Sequence, residues 1–302
     1  MQNNVSNLIY RMMQNLVEKS FNLLLRMKKL EFPKGKLNFS TVAEKKNVAM
    51  VFGAGEATGA ACTKAFALEG YTVIAVRRDK GATLGNIKDL EARLNDDLLK
   101  NSSENKNCVH GYSADARNES EIRSLMDEVE QKFGTIKVVL HNIGPNMPQP
   151  VLDTSVQRYQ KLFEISATSS LIVGKEAAKK MIDKGEGGCI FFTGATACLR
   201  GNANFSAFAS AMSAKRMLAQ SMAKEFGPQG IHIAHVIVDG VINTPFHATD
   251  ASPIPRDLWK RLSNCNGVIQ PENIANAFVY LSKQSKDAWT FEMDLRPWNE
   301  RW

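Results

Sequence analysis

Between Val48 and Gly59 the chain reads Val-Ala-Met-Val-Phe-Gly-Ala-Gly-Glu-Ala-Thr-Gly, an apolar run that breaks into a turn with glycines at 53, 55 and 59. Residue types in this order suit anion binding. Gly53 allows a tight turn out of a strand, while Gly55 and Gly59, on either side of Ala57 and Thr58, let backbone approach a pyrophosphate. The phosphates would sit at the N-terminal end of a helix over Ala57–Glu69, where free N–H groups and the helix dipole favour negative charge. A turn that needs small residues and holds no ligand is the plainer reading of the same glycines. A second apolar run ends at Val76-Arg77-Arg78. A carboxylate there would accept both ribose hydroxyls of NAD(H). Two guanidiniums instead offer paired donors to a 2′-phosphate, which favours NADP(H) over NAD(H). Solvated arginines at a strand end are the alternative.

These residues need a scaffold that ends strands and begins helices along one edge, and the remaining pattern supplies it. Apolar runs predict strands at Val48–Phe52, Thr72–Val76, Cys108–Tyr112, Val138–His141, Cys189–Thr193, Ile231–Val238 and Trp289–Met293. Between them lie helical patterns at Ala57–Glu69, Leu90–Lys100, Glu119–Phe133, Val156–Lys184, Ala207–Phe226 and Glu272–Leu281. Strands alternating with helices predict the α/β class, a doubly wound parallel sheet of Rossmann type covered on both faces. One such domain spans residues 46–302.

Residues 1–45 differ in kind. Apolar pairs at Leu8/Ile9, Met12/Met13, Leu16/Val17 and Leu24/Leu25 alternate with polar residues, an amphipathic helical pattern that Pro33 and Gly35 stop. This arm holds eight Lys and Arg against three Glu, a net of +5, so the rest of the chain carries only +2 of the total +7. A basic arm rather than a basic domain makes the protein cationic, which argues against nucleic acid as a partner. The arm reads in three ways: a helix packed on its own body, a mitochondrial presequence, or a helix that docks on a partner protein or the surface of a membrane. Mitochondrial residence is the expectation that follows, cytoplasmic the alternative. No run of about 18 apolar residues predicts a transmembrane helix. The five cysteines are odd in number and lack C-x-x-C spacing. They fit reduced core thiols better than disulfides, and no metal site is expected.

The motifs together resemble the short-chain dehydrogenase/reductase family over roughly residues 47–302. The glycine turn is similar to that family's T-G-x-x-x-G-x-G, with Phe52 and Ala57 replacing its Thr and middle Gly. Asp115, in Ser113-Ala-Asp-Ala-Arg117, matches the family residue beside the adenine. Asn142 and Gly144 match the end of its N-N-A-G motif, with His141 at the first Asn. Val238-Asp-Gly-Val-Ile-Asn-Thr244 resembles its P-G-x-V-x-T segment, in which the Ile242 backbone and the Thr244 hydroxyl would meet the nicotinamide; Asp239 replaces the Pro. The resemblance implies a dinucleotide-binding oxidoreductase fold and pairing of copies through the helices of residues 156–184 and 207–226.

The same resemblance exposes four departures. In the family a Tyr exchanges the substrate proton, a Lys lowers its pKa and holds the ribose, a Ser binds the substrate oxygen and an Asn supports a relay water. Alignment places Phe208 at the Tyr, Met212 at the Lys, Ala195 at the Ser and Ser166 at the Asn. Phe208 has no proton to give at any pH, and a positioned general acid contributes about 10²–10⁴ in rate. One rescue is open. Lys215 lies about 700° around a helix from Phe208, nearly the side of a residue four on. Phe208-x6-Lys215 resembles the Tyr-x6-Lys of the family's enoyl-thioester reductases without its Tyr. Otherwise Lys215 is a surface lysine on an amphipathic helix. Thr193, Thr196 and Ser206 are hydroxyls near enough in sequence to enter the same pocket. The expectation is an NADP(H)-binding, catalytically impaired family member serving as an accessory subunit of a larger, mitochondrial assembly. The alternative is an active NADP(H)-dependent oxidoreductase that uses Lys215 in a shifted site.

Overall fold

Apolar runs bounded by turns become strands that run side by side in one direction. The computed structural model describes residues 46–79, 85–101, 108–244, 247, 252 and 254–300; the amphipathic arm of residues 1–45 lies outside them. Strands β1 (Lys46–Phe52), β2 (Thr72–Arg77), β3 (Val109–Ser113), β4 (Gly134–His141), β5 (Gly188–Ala195), β6 (Ile231–Val238) and β7 (Glu292–Leu295) form one sheet. Its order is β3-β2-β1-β4-β5-β6-β7, and every neighbouring pair is parallel. The order reverses beside β1, leaving the strand ends around β1 and β4 open for a ligand.

Alternation along each strand divides the core into two layers. Ala49 and Val51 of β1 face a layer with Phe66 of α1 (Thr58–Leu68), Leu90, Leu94 and Leu98 of α2 (Ile87–Asn101) and Phe278 of α8 (Pro271–Ser282). Val48, Met50 and Phe52 face the other layer. There they meet Ile122 and Met126 of α3 (Glu119–Lys132), Val173 and Ala177 of α5 (Ser169–Lys184) and Ala219 and Met222 of α6 (Ser206–Phe226). Burial of both faces is what the near-continuous apolar strands demand.

Three local expectations are corrected. The helix expected over Val156–Lys184 consists of α4 (Val156–Phe163), a π-helical turn at Glu164–Thr168, and α5. Such turns insert one residue into the helical ladder and often mark functional sites. The seventh strand begins at Glu292 rather than Trp289, because the preceding backbone is committed elsewhere. Thr290 N donates to Gln284 Oε1 at 2.9 Å, and the Trp289 ring stacks on His232 at 4.9 Å. A further helix, α7 (Arg256–Asn264), lies where the apolar pattern predicts no element. None of the five cysteines is in a disulfide, and Cys62 and Cys198 are buried.

Candidate dinucleotide cleft and catalytic corner

The turn from β1 into α1 is built by close approach. Gly53 sits at φ +84°, where a Cβ would lie 2.4 Å from the Asn142 carbonyl oxygen. A Cβ at Gly59 would lie 2.4 Å from the Gly53 carbonyl oxygen. Only glycine fits either place. Gly55 is different: a Cβ there would meet nothing within 4 Å. The fold does not require that glycine, but a ligand pressed against the backbone would. Gly53 N and Ala54 N donate to the Val76 carbonyl at 2.9 and 3.1 Å, and Asn142 Nδ2 donates to the Gly53 carbonyl at 3.1 Å. The loop is therefore pinned to β2 on one side and β4 on the other. Helix α1 opens at Ala57 with no side-chain cap and no acidic residue in its first turn. Its first N–H groups are left for an anion.

Two adjoining cavities follow the strand ends. The larger, about 640 Å³, is lined by Gly55, Ala57, Thr58, Gly59, Asn142, Gly144, Ile242 and Thr244 from the expected cofactor set. The smaller, about 260 Å³, is lined by Gly53, Gly55, Arg77, Arg78 and Asp115. Every cofactor residue read from the sequence borders one of these cavities, and Gly55 borders both. Their dimensions and the glycine cradle fit an extended dinucleotide.

The two arginines are not equivalent. Arg77 is drawn inward: Nη1 donates to Glu56 Oε1 at 3.0 Å, and Nη2 donates to the carbonyls of Gly85 and Asn86, each at 2.9 Å. Glu56 also pairs with Arg93. Arg78 keeps half its side chain exposed and stands 3.9 Å from Asp115 Oδ2. Arg117, which sequence reasoning did not single out, grips Asp115 through Nε at 2.9 Å and holds its carboxyl down at about 2; Arg78 adds to that effect. Glu56 was missed too. An acid inside a glycine turn opposite two arginines was the available signal.

The four positions that the resemblance aligns with the family's catalytic residues do not share one environment. Ala195, Phe208 and Met212 line the larger cavity. Phe208 and Met212 pack with Cys198 and Ile237, while Ala195, Ala197 and Phe205 close the cluster. Phe208 and Met212 present apolar surface here, beside Thr196, Arg200, Asn202 and Asp239 of the same cavity. Ser166 is not in it: the residue is fully buried within the π-turn, and its Oγ has no hydrogen-bond partner among the described residues.

Lys215 corrects both expectations made for it. It lines neither cavity and is no surface lysine, since none of it is exposed. Its Nζ donates to the Ile143 carbonyl at 2.5 Å and to the Thr193 carbonyl at 3.3 Å, tying the end of β5 to the residues that follow β4. Helical spacing put it on the expected face, but too deep. Desolvation pushes its pKa down to about 7. Burial, with Lys215 beside it, also holds His141 well below its ordinary range. His235 falls to about 4, burial being the main cause, although Glu292 opposes the shift.

These shifts fix a sign. A lysine whose folded pKa lies below its unfolded one binds fewer protons when folded, so its share of stability grows with pH between the two values. For Lys215 the window runs from about 7 up to the ordinary 10.5. In urea titrations the wild type should gain stability relative to Lys215→Met as pH rises from 7 toward 10. A difference that does not change with pH would contradict the burial of this amine.

Comparison with known proteins adds to this geometry. The family model described as Enoyl-(Acyl carrier protein) reductase matches residues 53–292. A short-chain dehydrogenase from Rhodopseudomonas palustris is 34% identical, with a TM-score of 0.66 over 83% of this chain and 99% of its own. A short-chain dehydrogenase/reductase of Armillaria gallica is 26% identical over 256 residues, 82% of this chain and 93% of that protein. An alcohol dehydrogenase of Thermococcus sibiricus, complexed with 5-hydroxy-NADP, shares the fold at 20% identity and a TM-score of 0.68, over 84% of this chain and 98% of its own. With its sheet order, its glycine turn and these matches, the chain belongs to the short-chain dehydrogenase/reductase family.

Proposed function

We propose that the protein binds NADP(H) in its retained cleft but does not carry out the family's phenol-assisted carbonyl reduction, and that it serves as an accessory subunit of a larger assembly. One observation carries the reading. The glycine turn and the two cavities beside it are retained, while Phe208 and Met212 pack in an apolar cluster with Cys198 and Ile237. A side chain without a titratable proton at the reacting end forfeits about 10²–10⁴ in rate. The shifted-lysine route is disfavoured because Lys215 already serves two main-chain carbonyls and does not border the cavity. The assembly role and a mitochondrial setting rest on the sequence of the basic arm. The exposed Leu171 and Met217, on the two helices named for pairing of copies, are compatible with a covered surface. A second reading, an active oxidoreductase, is favoured by one feature, the hydroxyl–carboxylate pair Thr196 and Asp239 at the cavity wall.

NADPH over NADH is the cofactor preference expected, with Arg78 the main donor to the 2′-phosphate and Arg77 chiefly a brace for the loop. A charge-assisted hydrogen bond contributes about 1.5–3 kcal/mol, so Arg78→Ala should weaken NADPH at least about tenfold and leave NADH nearly unchanged. Fluorescence titration of both cofactors reads this; equal losses for the two would remove Arg78 from phosphate recognition.

Steady-state assays of the wild type with NADPH against ketones, quinones and enoyl thioesters should stay at background. The double variant Phe208→Tyr with Met212→Lys should raise ketone reduction, since the rest of the cleft is in place. Robust ketone turnover by the wild type would overturn the proposed function.

A further inference from the structure

A buried amine stands directly behind the wall of the larger cavity. Gly144 lines that cavity, and a Cβ built on it would lie 3.4 Å from Met212 Sδ and 3.9 Å from Lys215 Nζ. The amine rests on the main-chain carbonyls of Ile143 and Thr193, at 2.5 and 3.3 Å, and both of those residues line the cavity too. It is thus one thickness of main chain away from the cavity, with no side chain at position 144 to lengthen the gap. Most charges of the lining itself are already matched: Glu56 by Arg77 and Arg93, Asp239 by Arg200 and Arg296. Glu300 also lines the cavity, but it is partly exposed, so water screens it more than it screens the buried amine. The neutral lining mixes polar Asn146, Thr196 and Asn202 with apolar Phe205, Phe208 and Met212.

The groups that act electrically on this amine come from four elements. They are His141 on β4, His235 on β6, Cys198 in the turn after β5, and Arg216 on α6 with Glu292 on β7. Arg216 and Glu292 neutralise one another at 2.6 Å. Burial holds His141 well below its ordinary range and takes His235 down to about 4, so both are neutral at pH 6 and above. Burial pushes the Cys198 thiol up to about 11. Lys215, at about 7, is the member of this group that changes charge between pH 6 and 9, cationic below its pKa and neutral above it.

We propose that Lys215, set behind Gly144, makes the cleft a reader of the cofactor's oxidation state, one that holds NADPH and releases NADP⁺. Like the proposed function, this requires a nicotinamide dinucleotide in the cleft. The two forms differ at the ring alone: the nicotinamide of NADP⁺ is a cation, the dihydronicotinamide of NADPH is neutral. At the end of the cavity lined by Gly144, Phe208 and Met212, a cationic ring meets the field of a like charge across one layer of main chain, and a neutral ring does not. Like charges a residue or two apart in protein repel by an amount equivalent to at least about fivefold in affinity. Phe208 and Met212 act in the same direction, because a cation gives up more hydration against apolar surface than a neutral ring does. Discrimination of this kind needs no hydride to move, so the cleft performs it without a proton donor at position 208.

The ratio of the two dissociation constants isolates the ring. The 2′-phosphate titrates at about pH 6, as phosphate monoesters do, but equally in both forms. Calorimetric titration of the full-length protein with NADPH and with NADP⁺ should favour NADPH more strongly at pH 6 than at pH 9, the ratio changing by at least about fivefold. Lys215→Met should flatten that change and leave the smaller, pH-independent preference due to Phe208 and Met212. Should this variant fail to fold, the wild-type ratio decides alone. A ratio that stays constant between pH 6 and 9, a preference for NADP⁺, or a pH dependence that survives in folded Lys215→Met would overturn the proposal. If neither form binds at either pH, the proposed function falls and the oxidation-state reading with it. If NADPH binds and the ratio is flat, only the oxidation-state reading falls.

Discussion

A single ammonium group with no exposed surface ties together the strand ends on which the cleft stands. Lys215 reaches from α6 and donates to the carbonyls of Ile143 and Thr193. Pairing between β4 and β5 ends at His141 and Phe192, and Lys215 reaches the backbone just beyond it on both sides. The amine satisfies both carbonyls at once. It therefore fixes how far Asn142–Gly144, which border both the glycine loop and the larger cavity, stand from the segment Thr193–Thr196. Burying an amine this way is expensive, and its lowered pKa of about 7 is the sign of that expense.

Seen from that clamp, the two halves of the cleft have separate fates. Toward β2 the loop keeps what an anionic ligand requires: glycines where a side chain would collide, an uncapped helix terminus, and Arg78 with exposed donors. Toward β5 and α6 the positions that align with the family's Ser, Tyr and Lys hold Ala195, Phe208 and Met212, and Phe208 and Met212 pack with Cys198 and Ile237. Polar groups remain on the same cavity wall, among them Thr196, which donates to Asp239.

Much of this was legible in the sequence because the signals were local. The run Val48–Phe52, the glycines after it and the helix behind them follow one another without a break from Val48 to Leu68, so strand, turn and helix were readable together. The doubly wound order followed from the alternation of apolar runs. What was not legible depended on contacts across the chain. Glu56 lies 21 residues from Arg77, and only the fold shows that it occupies one arginine and leaves the other. Periodicity gives the face of Lys215 on its helix but not its depth, which is set by the sheet beneath. The pairing of Thr196 with Asp239 required the register between β5 and β6. The π-turn around Ser166 left no mark in the hydrophobic pattern because α4 and α5 continue one another around it.

The central claim is that this cleft still accepts a nicotinamide dinucleotide although Phe208 and Met212 stand at the positions that align with the family's Tyr and Lys. A crystal structure of the full-length protein grown with saturating NADPH tests it most directly. The account predicts a dinucleotide spanning both cavities, Phe208 and Met212 unmoved at its reacting end, and Lys215 still bonded to the carbonyls of Ile143 and Thr193. A cleft without dinucleotide at saturation, or a Lys215 side chain turned into the cavity beside the bound cofactor, would contradict it.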